Sequence, residues 1–239
     1  MTAEMIGMKE NGEVRGTLNS GGTESIFMAI FAYREHMIKE RGVARPNLVI
    51  CTTGHAAAIK ACKFMDIEVR LIPCTGKDYS MNISKMKSQI DENTICVYAS
   101  YPNYPYGTCD DLATIGAYCA KRNVPVHADM CLGGFICPWI EEGWKVPKGV
   151  TSISADPHKY GLSAKGVGVL LYSAEKYRKY QYYVTLNWPG GIYATTGPAG
   201  SRTGVYIVSA WVSMMKLGAK GLRDNARILS KSTNYHIKL

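Results

Sequence analysis

No Cys-x-x-Cys pair occurs in this chain, although it carries eight cysteines, Cys51, Cys62, Cys74, Cys96, Cys109, Cys119, Cys131 and Cys137. The ligand spacing of a zinc site is therefore missing, and no metal is expected. Several of these cysteines fall within apolar strand or helix patterns, where a free thiol behaves as a small hydrophobe, so a reducing compartment is expected. No basic block, and no interleaving of basic with aromatic residues, accompanies the net charge of +9. The usual footprint of nucleic-acid binding is thus absent, and the charge reads as solvated surface plus local attraction for phosphorylated ligands. No charged-then-apolar leader opens the chain, and no apolar run approaches the roughly 20 residues that cross a bilayer, so the chain taken alone is expected to be soluble. Internal repeats and low-complexity linkers are also missing. What remains is ordinary globular composition, 46% hydrophobic and 20% charged over 239 residues, enough for one sizeable core, either a full domain or the larger part of one.

The pattern along the chain is a β/α alternation. Residues 1–16 are polar and poorly patterned, and a helix is expected from Ile26 onward, where Ile26, Phe27, Ala29, Ile30 and Tyr33 recur at helical spacing. Strand-like runs follow at 47–52, 67–73, 94–100, 124–127, 152–155 and 167–172, with helical runs at 54–65, 82–90 and 110–122 between the earlier ones. Apolar strands alternating with helices predict an α/β fold with a mostly parallel central sheet flanked by helices. A long irregular stretch containing Trp188-Pro189-Gly190-Gly191 and Ser201-Arg202 precedes an apolar helix beginning near Val205. Loops of that length in a compact domain are usually functional or disordered, and its aromatics and arginine favour function, including a subunit interface. The reading divides the chain into a poorly patterned segment 1–16, one large domain 17–223, and the start of a further segment 224–239.

Chemistry concentrates at the expected strand ends. Asp156-Pro157-His158-Lys159-Tyr160 follows the strand at 152–155. A lysine at the end of a buried strand is desolvated, which lowers its pKa and frees a neutral amine to attack a carbonyl. Most lysines are solvated surface groups, so the motif by itself is weak. A second element, His127-Ala128-Asp129, ends the preceding strand. Pyridoxal phosphate chemistry needs a Schiff-base lysine and a carboxylate that keeps the pyridine nitrogen protonated; Lys159 and Asp129 satisfy both, at the carboxyl ends where open α/β sheets bind ligands. Ser20-Gly21-Gly22-Thr23 ahead of the first long helix reads either as an anion site built on the helix N-terminus or as a tight turn with a Ser/Thr cap. His55, which opens the helix at 54–65, reads either as an imidazole laid over a cofactor ring or as a histidine bonded to nearby backbone. The Tyr101-Pro102-Asn103-Tyr104-Pro105-Tyr106-Gly107 loop is either a site wall or a plain strand-to-helix connection.

With these residues laid out, the chain resembles the sphingosine-1-phosphate lyases, in the decarboxylase-like group of fold-type-I pyridoxal phosphate enzymes. The likeness runs from about Gly16 to Arg223. It is carried by Ser20-Gly21-Gly22-Thr23-Glu24-Ser25, His55-Ala56-Ala57, Cys131-Leu132-Gly133-Gly134-Phe135 after Asp129, residues 149–156, His158-Lys159-Tyr160-Gly161, Lys165-Gly166, Gly190-Gly191-Ile192-Tyr193-Ala194 and Ala199-Gly200-Ser201-Arg202. The resemblance implies a fold-type-I large domain with pyridoxal 5′-phosphate as cofactor. By that resemblance Lys159 is the Schiff-base lysine, His158 sits beside the cofactor, Asp129 pairs with the pyridine nitrogen and His55 stacks on the ring. Gly21, Gly22 and Thr23 hold the phosphate, and Lys165 is a second lysine near the substrate. The implied reaction cleaves the C2–C3 bond of a phosphorylated sphingoid base to phosphoethanolamine and a long-chain aldehyde, in a homodimer.

Three positions depart from that family's pattern. Tyr106 stands where histidine is usual, Met130 replaces a small alanine after the pyridine-pairing aspartate and is expected close to the ring, and Pro157 replaces threonine, as in related amino-acid decarboxylases. Members of the family are longer on both sides, with a membrane anchor in eukaryotic examples, so the chain reads as truncated. The expected location is cytoplasmic as given, or the cytosolic face of the endoplasmic reticulum membrane for a longer anchored parent. An amino-acid decarboxylase of the same fold is the alternative activity, and an inactive homologue serving only as a dimerising domain is the alternative of another class.

Overall fold

A computed structural model describes residues 1–8, 14–76, 78–140 and 143–237. Residues 9–13 of the expected N-terminal segment and 238–239 of the final one lie outside it. After a short helix α1 (Thr2–Met5), strand β1 (Arg15–Asn19) leads into helix α2 (Gly22–Arg41). The alternation then runs β2 (Asn47–Cys51), α3 (Ala56–Phe64), β3 (Glu68–Ile72), α4 (Ile83–Gln89), β4 (Thr94–Ser100), α5 (Leu112–Ala120) and β5 (Val126–Asp129). A short helix α6 (Cys137–Ile140) precedes β6 (Ser152–Ala155) and β7 (Gly168–Tyr172). Helix α7 (Glu175–Arg178), the hairpin of β8 (Tyr183–Thr185) with β9 (Tyr193–Thr195), and helix α8 (Val205–Ile237) complete the chain.

Local chemistry explains the boundaries. Strands β2 and β4 are buried along their whole length, as central strands covered on both faces must be. Asn82 and Asp111 cap α4 and α5, their side chains accepting the N–H groups of Lys85 and Thr114 at 3.0 Å each. Gly42 ends α2 in the left-handed region, where a side chain would be strained.

The seven main strands form one sheet in the order β1-β7-β6-β5-β4-β2-β3. Strands β2 to β6 pair in parallel, while β7 is antiparallel to both β6 and β1. Two cores follow from the two-residue period. Val49, Val97, Ala99, Val126, Ala128 and Ile153 face a layer containing Met86, Leu112 and Ile115 of α4 and α5. Leu48, Ile50, Cys96, Tyr98, Leu170 and Tyr172 face a layer built on α2 and α3.

Several expectations are corrected. A strand not expected from the sequence precedes the glycine turn: Arg15–Asn19 pairs with β7, because Gly16 allows the close approach, a Cβ there falling 2.7 Å from the Leu170 carbonyl oxygen. The irregular stretch after β7 contains the β8–β9 hairpin. Helix α8 runs through the expected boundary at residues 223 and 224, with its break in helical geometry at Gly218 instead. Among the described residues no helix is long and apolar enough to cross a membrane.

The sheet also buries His127 completely. Its Nδ1 lies 2.7 Å from Ser152 Oγ and its Nε2 3.2 Å from Ser154 Oγ, and burial lowers its pKa to about 4. A histidine held neutral in the fold and free to protonate when unfolded contributes stability that is full above its unfolded pKa and is lost as pH falls through the folded value. Between pH 6.5 and 4 the chain should lose roughly 3 kcal/mol of unfolding free energy through this group. Urea denaturation across that range should show that decline in the wild type and a shallower one in His127→Gln.

Candidate active site

The parallel register sets the site. Ser100 of β4 lies opposite Asp129 of β5, and Asp129 lies opposite Ser154 of β6, so three carboxyl ends finish on one level. Lys159 follows β6 in the turn that begins at Asp156. On the other flank β1 ends at Asn19 beside β7, which brings the Gly21–Gly22 start of α2 against the same turn. A Cβ on Gly168, the first residue of β7, would lie 2.6 Å from the Gly21 carbonyl carbon, so glycine there is what lets these segments touch.

The carboxylate of Asp129 is buried and fully engaged. Tyr98 donates its hydroxyl to Oδ2, the Cys131 N–H donates to Oδ1 at 3.0 Å, and Ser154 Oγ donates to Oδ1 at 3.3 Å. Burial pushes this carboxyl up, but the donors of Cys131 and Tyr98 outweigh it and hold the group below its ordinary value, as an anion. The same contact pushes the Tyr98 phenol well above its usual range, through burial first and the neighbouring carboxylate second.

Lys159 is placed differently from expectation. Its Nζ lies 3.1 Å from Asp156 Oδ2, and its side chain is about a third exposed. Burial pulls its pKa down, but Cys131 and Asp156 beside it raise it further, so the amine sits above its ordinary value as an ammonium. The expected lowering by desolvation is thus overturned, and Asp156 is the main geometric reason. Asp156 itself is buried to 2% exposure. Burial raises its carboxyl and the Lys159 ammonium pulls it back. His158 lies on the other side of that carboxylate, its Nε2 3.7 Å from Oδ2, with Nδ1–H donating to the Val167 carbonyl at 2.7 Å.

The remaining expected residues converge on one cavity of about 280 Å³. Gly21, Gly22, Thr23 and His55 line it together with Asp129, His158 and Lys159. Among the described residues no side chain caps α2, so the cap alternative for Ser20 and Thr23 does not hold, and Gly21, Gly22, Thr23 and Glu24 at the start of this 20-residue helix line the cavity. Gly22 makes the floor: a Cβ there would lie 2.6 Å from Cys131 Sγ and 2.7 Å from Asp156 Oδ2. His55 makes the backbone bond, its Nδ1 accepting the Ala57 N–H at 3.1 Å as the cap of α3, and it also lines the cavity. Lys165 is exposed between β6 and β7 and lies outside the cavity lining. The 101–107 loop supplies Pro102, Asn103 and Tyr104 to an adjoining small pocket shared with His55 and Lys159, whereas Tyr106 stacks on Tyr79 with ring centroids 3.9 Å apart.

Met130 is a second correction. Its side chain is fully buried in the core on the α4 and α5 side of the sheet, away from the cavity, and Cys131 is the residue beside Asp129 that lines the site. Asp156, Tyr98, Ser154 and Cys131 were given no role by the sequence. A larger cavity, about 730 Å³, lies between Trp139 and the Arg223, Arg227 and Lys231 face of α8; none of the expected site residues lines it.

Comparison with known proteins gives consistent matches. The model of the pyridoxal-dependent decarboxylase conserved domain matches residues 1–236. The sphingosine-1-phosphate lyase of Drosophila melanogaster is 42% identical over 227 residues, which cover 92% of this chain and 42% of that protein. A sphingosine-1-phosphate lyase structure from Burkholderia pseudomallei superposes with a TM-score of 0.91 at 33% identity, covering 95% of this chain and 55% of the other. Glutamate decarboxylase of Lactobacillus brevis superposes with a TM-score of 0.83 at 26% identity, over the same shares of each chain. The chain therefore spans about half the length, or less, of these relatives.

Removing one donor tests how Asp129 is held. Tyr98→Phe should cost about 1.5–3 kcal/mol of stability in urea unfolding, the usual worth of a buried hydrogen bond to a charged group. It should also raise the Asp129 pKa, read from the carboxyl carbon resonance across a pH titration.

Proposed function

Because the chain belongs to the pyridoxal-dependent decarboxylase family, we propose that its strand-end cavity holds pyridoxal 5′-phosphate and serves a carbon–carbon lyase. The substrate class is phosphorylated sphingoid bases, cleaved to phosphoethanolamine and a long-chain aldehyde. The observation that carries this reading is the meeting, in one cavity, of a lysine amine, a fully hydrogen-bonded carboxylate and an uncapped helix N-terminus. The choice of lyase over amino-acid decarboxylase rests on similarity: 42% and 33% identity to lyases against 26% to glutamate decarboxylase.

The residues present fit the cofactor. Gly21, Gly22 and Thr23 would hold its phosphate with helix-terminal N–H groups, where a phosphate is favoured by the helix dipole as well. Asp129, kept ionised by its three donors, would hold a proton on the pyridine nitrogen. When bound, the protonated ring supplies an acceptor for the electrons of a bond broken beside the substrate nitrogen. His55, fixed by the Ala57 N–H, would lie against the ring face. Lys159 must lose a proton before its amine can attack a carbonyl, and Asp156 Oδ2 at 3.1 Å is the nearest acceptor. His158, oriented by the Val167 carbonyl, flanks that transfer, and exposed Lys165 would meet the substrate.

A homodimer is part of the same reading. Val184, Leu186, Trp188 and Ile192 around the hairpin, and Val205, Val208 and Trp211 at the start of α8, are exposed apolar side chains. Large apolar side chains this exposed support a second subunit that covers them. Sedimentation should therefore give a dimer, and Trp188→Glu with Trp211→Glu should shift it towards monomer.

The direct test is the visible spectrum of the purified chain with pyridoxal 5′-phosphate, before and after borohydride. An absorption band trapped on Lys159, and missing in Lys159→Ala, is the expected result. An equal band in that variant would sink the assignment, and cleavage of sphinganine 1-phosphate by the holoenzyme would test the substrate class.

A further inference from the structure

One carboxylate in the site conflicts with the ligand that the site is built for. Asp156 lies against Gly22 at the start of α2: the position a Cβ would take on that glycine is 2.7 Å from Oδ2 and 3.2 Å from Oδ1. Gly21, Gly22, Thr23 and Glu24 of this same helix terminus line the cavity. Asp156 is buried to 2% exposure, and its Oδ1 has no hydrogen-bond partner among the described residues. A buried oxygen without a partner is costly, and Asp156 is one of the residues that line the cavity.

The groups facing Asp156 come from every neighbouring element. Its own turn contributes Lys159 and His158, the end of β5 contributes Asp129 and Cys131, α2 contributes Glu24 and the start of α3 contributes His55. Only Lys159 is a fixed positive charge among them, against the carboxyl groups of Asp129, Asp156 and Glu24. A phosphate dianion brought to the N-terminus of α2 would add two negative charges beside Asp156. Two anions sharing one enclosed site cannot both stay ionised at ordinary pH, and the carboxylate is the one that can take up a proton and turn from repelling neighbour into donor.

We propose that Asp156 carries a proton whenever a phosphate ester occupies the N-terminus of α2, donating that proton's hydrogen bond to a phosphate oxygen, so that loading the site takes up a proton. This rests on the cofactor reading above and adds a linkage that reading does not require. The shift of the Asp156 carboxyl upward by burial already leans in this direction. The proposal also gives Oδ1 a partner, since a protonated carboxyl can present its O–H to the ligand while Oδ2 still accepts from Lys159.

The experiment uses calorimetry on the whole chain at pH 8, in two buffers of different ionisation enthalpy. The ligands are pyridoxal 5′-phosphate and 4′-deoxypyridoxine 5′-phosphate, which lacks the aldehyde and so isolates phosphate and ring binding from reaction with Lys159. Wild type should take up about one proton more per site than Asp156→Asn with either ligand, the variant difference removing any proton gained by the ring. Over the alkaline range the wild-type affinity for the deoxy ligand should fall roughly tenfold more per pH unit than that of the variant. Asp156→Ser serves as a second neutral variant if Asp156→Asn does not fold. Binding with equal proton uptake in wild type and variants would overturn the proposal while leaving the cofactor site intact. Failure of both ligands to bind at any pH would overturn the cofactor reading and this inference with it.

Discussion

A buried carboxylate must be either neutralised or surrounded by donors, and the site described above depends on the second solution at Asp129. Its three donors come from three different places: the phenol of Tyr98 on β4, the hydroxyl of Ser154 on β6 and the N–H of Cys131 just beyond β5. Cys131 is local, but Tyr98 and Ser154 are near Asp129 only because β4, β5 and β6 pair in parallel and in their observed register. A slip of one residue would turn Tyr98 to the other face and bury an uncompensated charge. The electrostatics of one side chain and the topology of the central sheet therefore constrain each other. His127, two residues earlier on the same face, uses Ser152 and Ser154 similarly, so two serines of β6 supply the polar side of the contact with β5.

The second charged group, Lys159, is organised by a different rule. A desolvated lysine alone would lean towards the free amine. Here a buried aspartate three residues earlier on the same turn keeps it an ammonium. The lysine amine is thus held in protonated form next to a carboxylate that can receive a proton. Reactivity is set by the pair, and ligands that disturb the pair alter it.

Much of this could be read in advance, for identifiable reasons. Strands β2 and β4 are apolar at nearly every position and buried throughout, and Asn82 and Asp111 stand where helix caps belong, so the alternation was visible. Strand β1 was not, because Arg15-Gly16-Thr17-Leu18-Asn19 has little strand character of its own and exists through pairing with β7. The β8–β9 hairpin has only three residues per strand, too few for a periodic signal. Lys159, Asp129, His55 and the glycine turn were legible as residue types at strand and helix ends. Asp156 was not singled out, although an acid three residues before a lysine in one turn is a readable pairing. The misplacement of Met130 had a simple remedy: successive residues of an extended strand point to opposite faces, so the neighbour of Asp129 belongs to the far core.

The docking of β1 on β7 has one more consequence. Thr17 pairs with Leu170 across most of the chain, and this pairing helps bring the glycine turn to the lysine turn. Contacts of such long sequence separation form late, because the loop between them must be closed before they reward it. The glycine half and the lysine half of the cavity therefore depend on a pairing that spans most of the sequence. Synthesis of the chain reaches Leu170 long after Thr17 has emerged, so a nascent chain stalled before β7 would possess Gly21 and Gly22 and still lack the strand on which β1 docks.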